Sequence, residues 1–341
     1  MSLDLKTVEK TGRNLLKGYC RVCPVCDGRA CAGEVPGMGG VGSGMSFRAN
    51  LEALALYRFR LRAVHRVKQA DTTMLLWGKK LSLPLMAAPM TGTTYNMGGK
   101  ISEEEFTSHI ISGSLDAGTL GFTGDGADPS MFDSGIKAIR ENSGQGIAII
   151  KPRSQVEIIK RIKAAEQAGA LAVGVDIDGA GLVTMALKGQ AVSPKSVDEI
   201  GELVESTDLP FVLKGIMTPE DAMAALEAGV SVIVVSNHGG RVLDSTPGAA
   251  HVLPEISSLV RGRMIVLADG GVRSGGDVLK LLALGADAAL VGRPLITGAF
   301  GGGSQGVSSV LKKMEQELVQ AMLLTGTANV TSVNPAIIEK Y

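Results

Sequence analysis

A chain of 341 residues, 45% apolar and 20% charged, has the makings of one large domain with a sizeable core. Lys+Arg and Asp+Glu number 34 each, so a net charge of zero offers no electrostatic footprint for nucleic acid or an anionic membrane surface. Aromatic residues at 4% are too few for base-stacking platforms, no apolar run reaches the roughly 18 residues of a membrane span, and the opening Met1-Ser2-Leu3-Asp4 lacks a signal-peptide core. A cytoplasmic protein without nucleic-acid or membrane partners is expected.

In chain order, Leu5 to Lys17 reads as a short amphipathic helix. Cys20, Cys23, Cys26 and Cys31 follow as C-x2-C-x2-C-x4-C, and they are the only cysteines. In a reducing compartment such a cluster points to metal or redox chemistry before disulfides. Next comes Gly33–Gly44, in which six of twelve residues are glycine. Gly37-x-Gly39-x-x-Gly42 formally matches a dinucleotide fingerprint, but no strand precedes it, and the match is rejected. Ser46–Lys68 reads as a helix running into an irregular or hairpin segment through Trp77.

From residue 83 a rhythm begins. Apolar runs end in Gly, Pro or polar residues at Leu83–Pro89, Thr119–Gly124, Gly146–Pro152, Leu171–Asp178, Pro210–Ile216, Val230–Ser236, Met264–Asp269 and Ala288–Val291. Helix-period stretches lie between them, including Ser154–Ala168, Pro219–Ala228 and Gly275–Leu284, the last two followed by glycine. Eight strands alternating with helices predict an α/β fold, a (β/α)8 (TIM) barrel over residues 47–341 carrying a Cys- and Gly-rich extension over 1–46. A doubly wound open sheet is the rival. Ser304–Leu324 reads as the closing helix, and the tail beyond it carries no signal.

The polar residues sit at the strand ends, where a barrel places its active site. Ser236-Asn237-His238-Gly239-Gly240-Arg241 closes the buried sixth strand. It supplies a proton acceptor near neutrality and a guanidinium suited to a carboxylate. Asp269-Gly270-Gly271-Val272-Arg273 and Gly292-Arg293-Pro294 follow the seventh and eighth strands. Loops there often bind phosphate, with Gly271 and Gly292 allowing close approach and Arg273 and Arg293 adding charge. Lys214 ends the fifth strand, where it could hold the electron-rich edge of a reduced flavin, form a Schiff base or snorkel to the surface.

These blocks together resemble the FMN-dependent α-hydroxy acid oxidase/dehydrogenase family, which includes glycolate and lactate oxidases. The likeness is strong over about 208–325, weaker over 47–207 and absent over 1–46. It implies an oxidoreductase with FMN at the C-terminal mouth of the barrel, a homotetramer or larger, that converts a 2-hydroxy acid to the 2-oxo acid. Position by position, it implies Lys214 at the flavin N1/O2 edge, Ser236 on the cofactor and Asp269 on the ribityl chain. Arg273, Arg293, Gly271 and Gly292 would hold the phosphate, and Ala87-Ala88-Pro89-Met90 would lie along the isoalloxazine. His238 would take the substrate proton, Arg241 would bind the carboxylate, and Asp176 would pair with His238, with Asp178 a second choice.

The departures from the family matter as much. Its N-terminal Tyr and its second carboxylate-binding Arg after the fourth strand have no counterpart here, and its Gln-x-Tyr pair on the third strand has only Gln145 as a loose candidate; Gly146-Ile147-Ala148 stands on the third strand and Gly179-Ala180-Gly181-Leu182-Val183 after the fourth. A bulkier or less polar substrate than glycolate is therefore expected, with Tyr95, Lys151 and Lys188 as the nearest replacements and the Cys segment folded over the mouth. The four cysteines are open to an iron–sulfur cluster, zinc or free thiols; the ferredoxin run C-x2-C-x2-C-x3-C-P differs by one residue and a proline. Two other functions stay in view: a flavin isomerase of the type 2 isopentenyl diphosphate isomerase kind, and a non-catalytic FMN-binding electron-transfer or sensor protein. The electron acceptor is left open.

Overall fold

The structure is a computed structural model that describes residues 3–341, apart from the side chain of Pro36. Its centre is a barrel of eight parallel strands: β1 (Leu85–Ala87), β2 (Phe122–Thr123), β3 (Ile147–Ile150), β4 (Ala172–Asp176), β5 (Phe211–Ile216), β6 (Val232–Val235), β7 (Ile265–Ala268) and β8 (Ala288–Val291). Each pairs with the next, β8 returns to β1, and a single bridge from Ala87 to Gly121 closes the seam between β1 and β2. All eight runs anticipated from the sequence become barrel strands, and the open-sheet alternative falls away.

The strands are apolar on both faces because both faces are covered. Met86, Phe122, Ile147, Ile149, Val212, Val232, Val234, Leu267 and Leu290 fill the interior. Residues of the other parity, such as Leu85, Ile150, Val175, Leu213, Val235 and Val291, pack outward onto the helices. A hairpin of Met74–Leu76 and Lys79–Leu81, turned by Trp77 and Gly78 at positive φ, plugs the N-terminal end with Met74, Leu76 and Leu81. The sequence suggested an irregular or hairpin segment through Trp77; the hairpin turns there and its second strand runs on to Leu81.

One expectation needs correction. The helix expected to Lys68 runs only from Met45 to Ala55. Beyond it Tyr57–Phe59 turns into a short strand, antiparallel to Ile338–Lys340. The tail that carried no signal therefore has a partner, and the β-prone Tyr57 and Phe59 pair with it rather than extending the helix. The closing helix runs to Thr325 from a break at Gly302 and Gly303, in keeping with the expected start at Ser304. A separate helix from Arg293 precedes the break and sets its N-terminus at the barrel mouth. No helix among the described residues is long and apolar enough to cross a membrane.

Candidate active site

His238 lies just past β6 in the left-handed region, at φ 57°, a conformation a non-glycine residue adopts at some cost. Gly239 and Gly240 continue it at φ 64° and 78°. A Cβ on Gly240 would come within 2.4 Å of the Phe47 nitrogen, so only glycine lets the extension pass here. The turn swings the imidazole back over the strand ends. Its Nδ1 lies 2.9 Å from Asp178 Oδ1, whereas its Nε2 is 3.8 Å from Asp176 Oδ2. The expected pairing with Asp176 is thus corrected to Asp178. Asp176 is engaged elsewhere: Lys151 Nζ donates to it at 2.5 Å. Burial, then Lys151 and Lys214, hold the His238 pKa well below the usual imidazole value. Burial raises that of Asp178 against the pull of Lys214, Lys151 and Arg241. With Nδ1 donating to Asp178, Nε2 offers a lone pair to a proton.

Lys214 reaches the same space through a bulge. The β5–β6 register slips between Lys214 and Ile216, at Gly215 with φ 99°, where a Cβ would strike the Asp178 carboxylate at 2.6 Å. Lys214 Nζ donates to Ser236 Oγ at 2.7 Å and lies 3.4 Å from Asp269 Oδ2. Burial would lower its pKa, but the charges of Asp269, Asp178 and Asp176 outweigh that and raise it. A raised pKa argues against a Schiff-base nucleophile, which needs a neutral amine. Ser236 is fully buried, accepting from Lys214 and from the His238 backbone N–H at 3.0 Å. It braces the site from beneath.

A cleft runs along these strand ends, lined by Ala88–Thr91, Lys214, His238, Arg241, Asp269–Arg273 and Leu290–Arg293, among others. Ala87 is not on its wall: it stays within β1, fully buried, holding the seam. A larger opening lies at the opposite end beside the hairpin. It carries none of these groups, and we place the chemistry in the smaller cleft.

FMN fits this cleft on the unpaired atoms along it. Asp269 Oδ1, Arg273 Nε and Arg241 Nε are buried without partners, which is costly unless a ligand pairs them. A ribityl hydroxyl, a phosphate and a carboxylate would pair them in that order. Gly271 and Gly292 lie beside them, and the helix beginning at Arg293 adds its N-terminal dipole. The Arg293 side chain departs from expectation. Its Nε donates to Met38 O at 2.8 Å, its Nη2 to Gly239 O at 2.9 Å, and it stacks on Phe47 at 4.2 Å. Burial, with repulsion from Arg273 and Arg241, brings its pKa down to about 9. Arg293 pins the N-terminal extension, leaving Arg273 as the freer phosphate donor.

The other half of the mouth holds residues that the sequence reading undervalued. Asp125, after β2, is buried and takes Arg153 Nε at 2.8 Å, Arg153 Nη2 at 3.2 Å and the Lys151 N–H at 3.1 Å. This fixes the Lys151-Pro152-Arg153 turn and aims Lys151 at Asp176. The only signal was position: charged residues immediately after strands β2 and β3. A second chamber here is lined by Lys151 and Arg241 with apolar Ala127, Met131, Leu182 and Met185. Tyr95 lines it too, with the Lys188 ammonium 5.1 Å from its ring. Lys188 itself is exposed, so of the three expected replacements only Lys151 is a buried charge at the site.

The extension crosses the phosphate end of the mouth rather than this chamber. Val41 N–H donates to Gly240 O at 2.9 Å, and Gly37 lines the cleft. Asp244 takes Ser43 Oγ at 2.7 Å and the N–H groups of Ser43, Met45 and Ser46, capping the helix Met45–Ala55, which spans the expected 46/47 boundary. The four cysteines are unpaired, and no three of their sulfurs lie within 4.8 Å of one another. A single zinc ion with Zn–S bonds of about 2.3 Å would need them closer.

A parallel barrel with Gly/Arg turns, a buried lysine and a His–Asp pair at its mouth suits a flavin oxidoreductase site, and comparison with known proteins agrees. The chain matches the FMN-dependent dehydrogenase family over residues 37–196 and 183–340, and it belongs to that family. Among its relatives is the peroxisomal (S)-2-hydroxyacid oxidase GLO3 of Arabidopsis thaliana, 32% identical over 86% of this chain and 88% of that protein. A 2-hydroxyacid oxidase of Dictyostelium discoideum is 52% identical, over 39% of this chain and only 34% of its own length. A crystal structure of mandelate oxidase with benzoyl-formic acid superposes with a TM-score of 0.80 at 28% identity, covering 100% of this chain and 99% of that one.

Proposed function

We propose that this protein oxidises a 2-hydroxy acid with a bulky or apolar side chain to the 2-oxo acid. Bound FMN supplies the hydride acceptor. The residues do the rest. His238 takes the hydroxyl proton at Nε2, and Asp178 at Nδ1 orients the ring and stabilises the imidazolium. Arg241 binds the substrate carboxylate from the wall shared by cleft and chamber. Lys151 supplies the second positive charge from the end of β3, in place of an arginine after β4. Lys214 balances negative charge at the flavin edge. The observation that carries the reading is the convergence of His238 and the unpaired Arg241 Nε on one cleft.

Size selection follows from the chamber walls. Ala127, Met131, Leu182 and Met185 offer apolar area that glycolate cannot use, and each methylene placed there is worth about 1–3 kcal/mol, or roughly 10–200-fold. Anaerobic bleaching of the flavin band by glycolate, lactate, mandelate and longer 2-hydroxy acids tests both parts. Mandelate or a longer acid should exceed glycolate in kcat/KM by at least about tenfold. Preference for glycolate would overturn the size assignment, and no bleaching by any of them would overturn the activity.

A further inference from the structure

The stretch from Cys20 to Glu34 contains no helix or strand. Structureless segments longer than about 12–15 residues are uncommon in compact proteins unless function or a staple holds them. This one is tied into shape. Arg13 donates to Arg21 O and Val22 O, Arg21 to Ala30 O and to Glu34, and Val22 takes a positive φ of 46°. Gly28 lies against the Phe47 ring, where a Cβ could not fit. The effect is to gather four sulfurs. The Arg21 bond to Ala30 O brings the two ends of the run together, with Cys20 beside one and Cys31 beside the other.

Cation and amide donors face that neighbourhood. Arg273 Nη2 lies 3.5 Å from Cys26 Sγ, and the Val22 N–H donates to Cys20 Sγ at 3.4 Å. Hydrogen bonds to sulfur and nearby positive charge are what anionic thiolate ligands need. Spacing then selects the occupant. The sulfurs are too far apart for one tetrahedral ion. A cubane of irons and sulfides sets its cysteine ligands wider, one at each iron corner.

We propose that Cys20, Cys23, Cys26 and Cys31 ligate a [4Fe–4S] cluster, seated against Arg273 beside the flavin phosphate. The ligand assignment stands on the cysteines and is independent of the substrate reading. The full chain, expressed with iron and purified without oxygen, tests it. Expected are about four iron and four acid-labile sulfide per chain, and a paramagnetic signal after dithionite reduction. Changing all four Cys to Ser should remove the iron and the signal while extractable FMN stays. Should that variant misfold, chelating iron from the wild-type protein and rebuilding with ferrous iron and sulfide gives the same reading, with recovery expected. Background iron in the anaerobic protein, stoichiometric zinc in its place, or iron retained by the four-serine variant would each overturn the proposal. Loss of FMN binding in wild-type protein would instead count against the flavin reading alone.

Discussion

The two halves of the barrel mouth are built by different rules. On the β5–β8 side, Lys214 lies within β5 and bonds Ser236, while His238, Arg241, Asp269 and Arg273 follow their strands within a few residues, placed mainly by glycine turns. On the β2–β4 side the site rests on side chains holding side chains: Arg153 on Asp125, Lys151 on Asp176, Asp178 on His238. The first half has the form of a cofactor cradle. The second can be rebuilt by a few substitutions, which suits a wall that selects substrates.

Breaking the line between the halves at His238 should have the largest effect. His238→Gln should retain FMN and slow substrate-driven bleaching by roughly 10²–10⁴, the range of general-base catalysis; stopped-flow absorbance checks it. Arg273→Ala tests the cradle alone. It should lower the FMN bound per chain after gel filtration, with the barrel's circular dichroism preserved.

Lys151→Met tests the wall. Loss of a hydrogen bond to a charged group, about 1.5–3 kcal/mol, should cut kcat/KM by roughly ten- to a hundredfold, with Lys151→Arg recovering part. It also has a pH signature. Lys151 and Lys214 help depress the His238 pKa, so wild-type kcat/KM should fall only at pH below the usual imidazole value, about 6.5. Removing the Lys151 charge raises that pKa, and the acid limb should move to higher pH. An unmoved limb would separate Lys151 from His238.

Asp244 should give the smallest effect. Its hydrogen bonds, led by the one from Ser43, hold its pKa at about 2. The stability this carboxylate contributes is complete above about 3.9, its unfolded value, and is lost as pH falls through about 2. Asp244→Ala removes a helix cap worth about 1 kcal/mol, expected as a Tm lower by a few degrees at neutral pH and a smaller difference in strong acid.

The same contrast explains what the sequence could tell. Strand periodicity and the Gly/Arg turns are local, so the eight strands and the residues after β5 to β8 were legible from spacing. The His238–Asp178 choice was not, because Asp176 and Asp178 lie two residues apart and the Gly215 bulge decides which carboxylate meets the ring. Nor was the Asp125–Arg153 brace, a pairing across 28 residues with no motif behind it. The pairing of Tyr57–Phe59 with Ile338–Lys340 spans nearly the whole chain, beyond the reach of any local pattern.

One bridge, Ala87 to Gly121, closes the seam between β1 and β2, while β6 and β7 share four paired positions. A barrel with one thin joint does not loosen evenly: sub-global opening starts where the fewest hydrogen bonds must break. The Ala87 amide, bonded only across that seam to Leu120 O, should therefore exchange its hydrogen for deuterium well before those of Val234 or Leu267. This seam ends between Ala88–Thr91 and Asp125, the edge that cleft and chamber share. Breathing there would widen the mouth along the line where a broad, flat group has to enter.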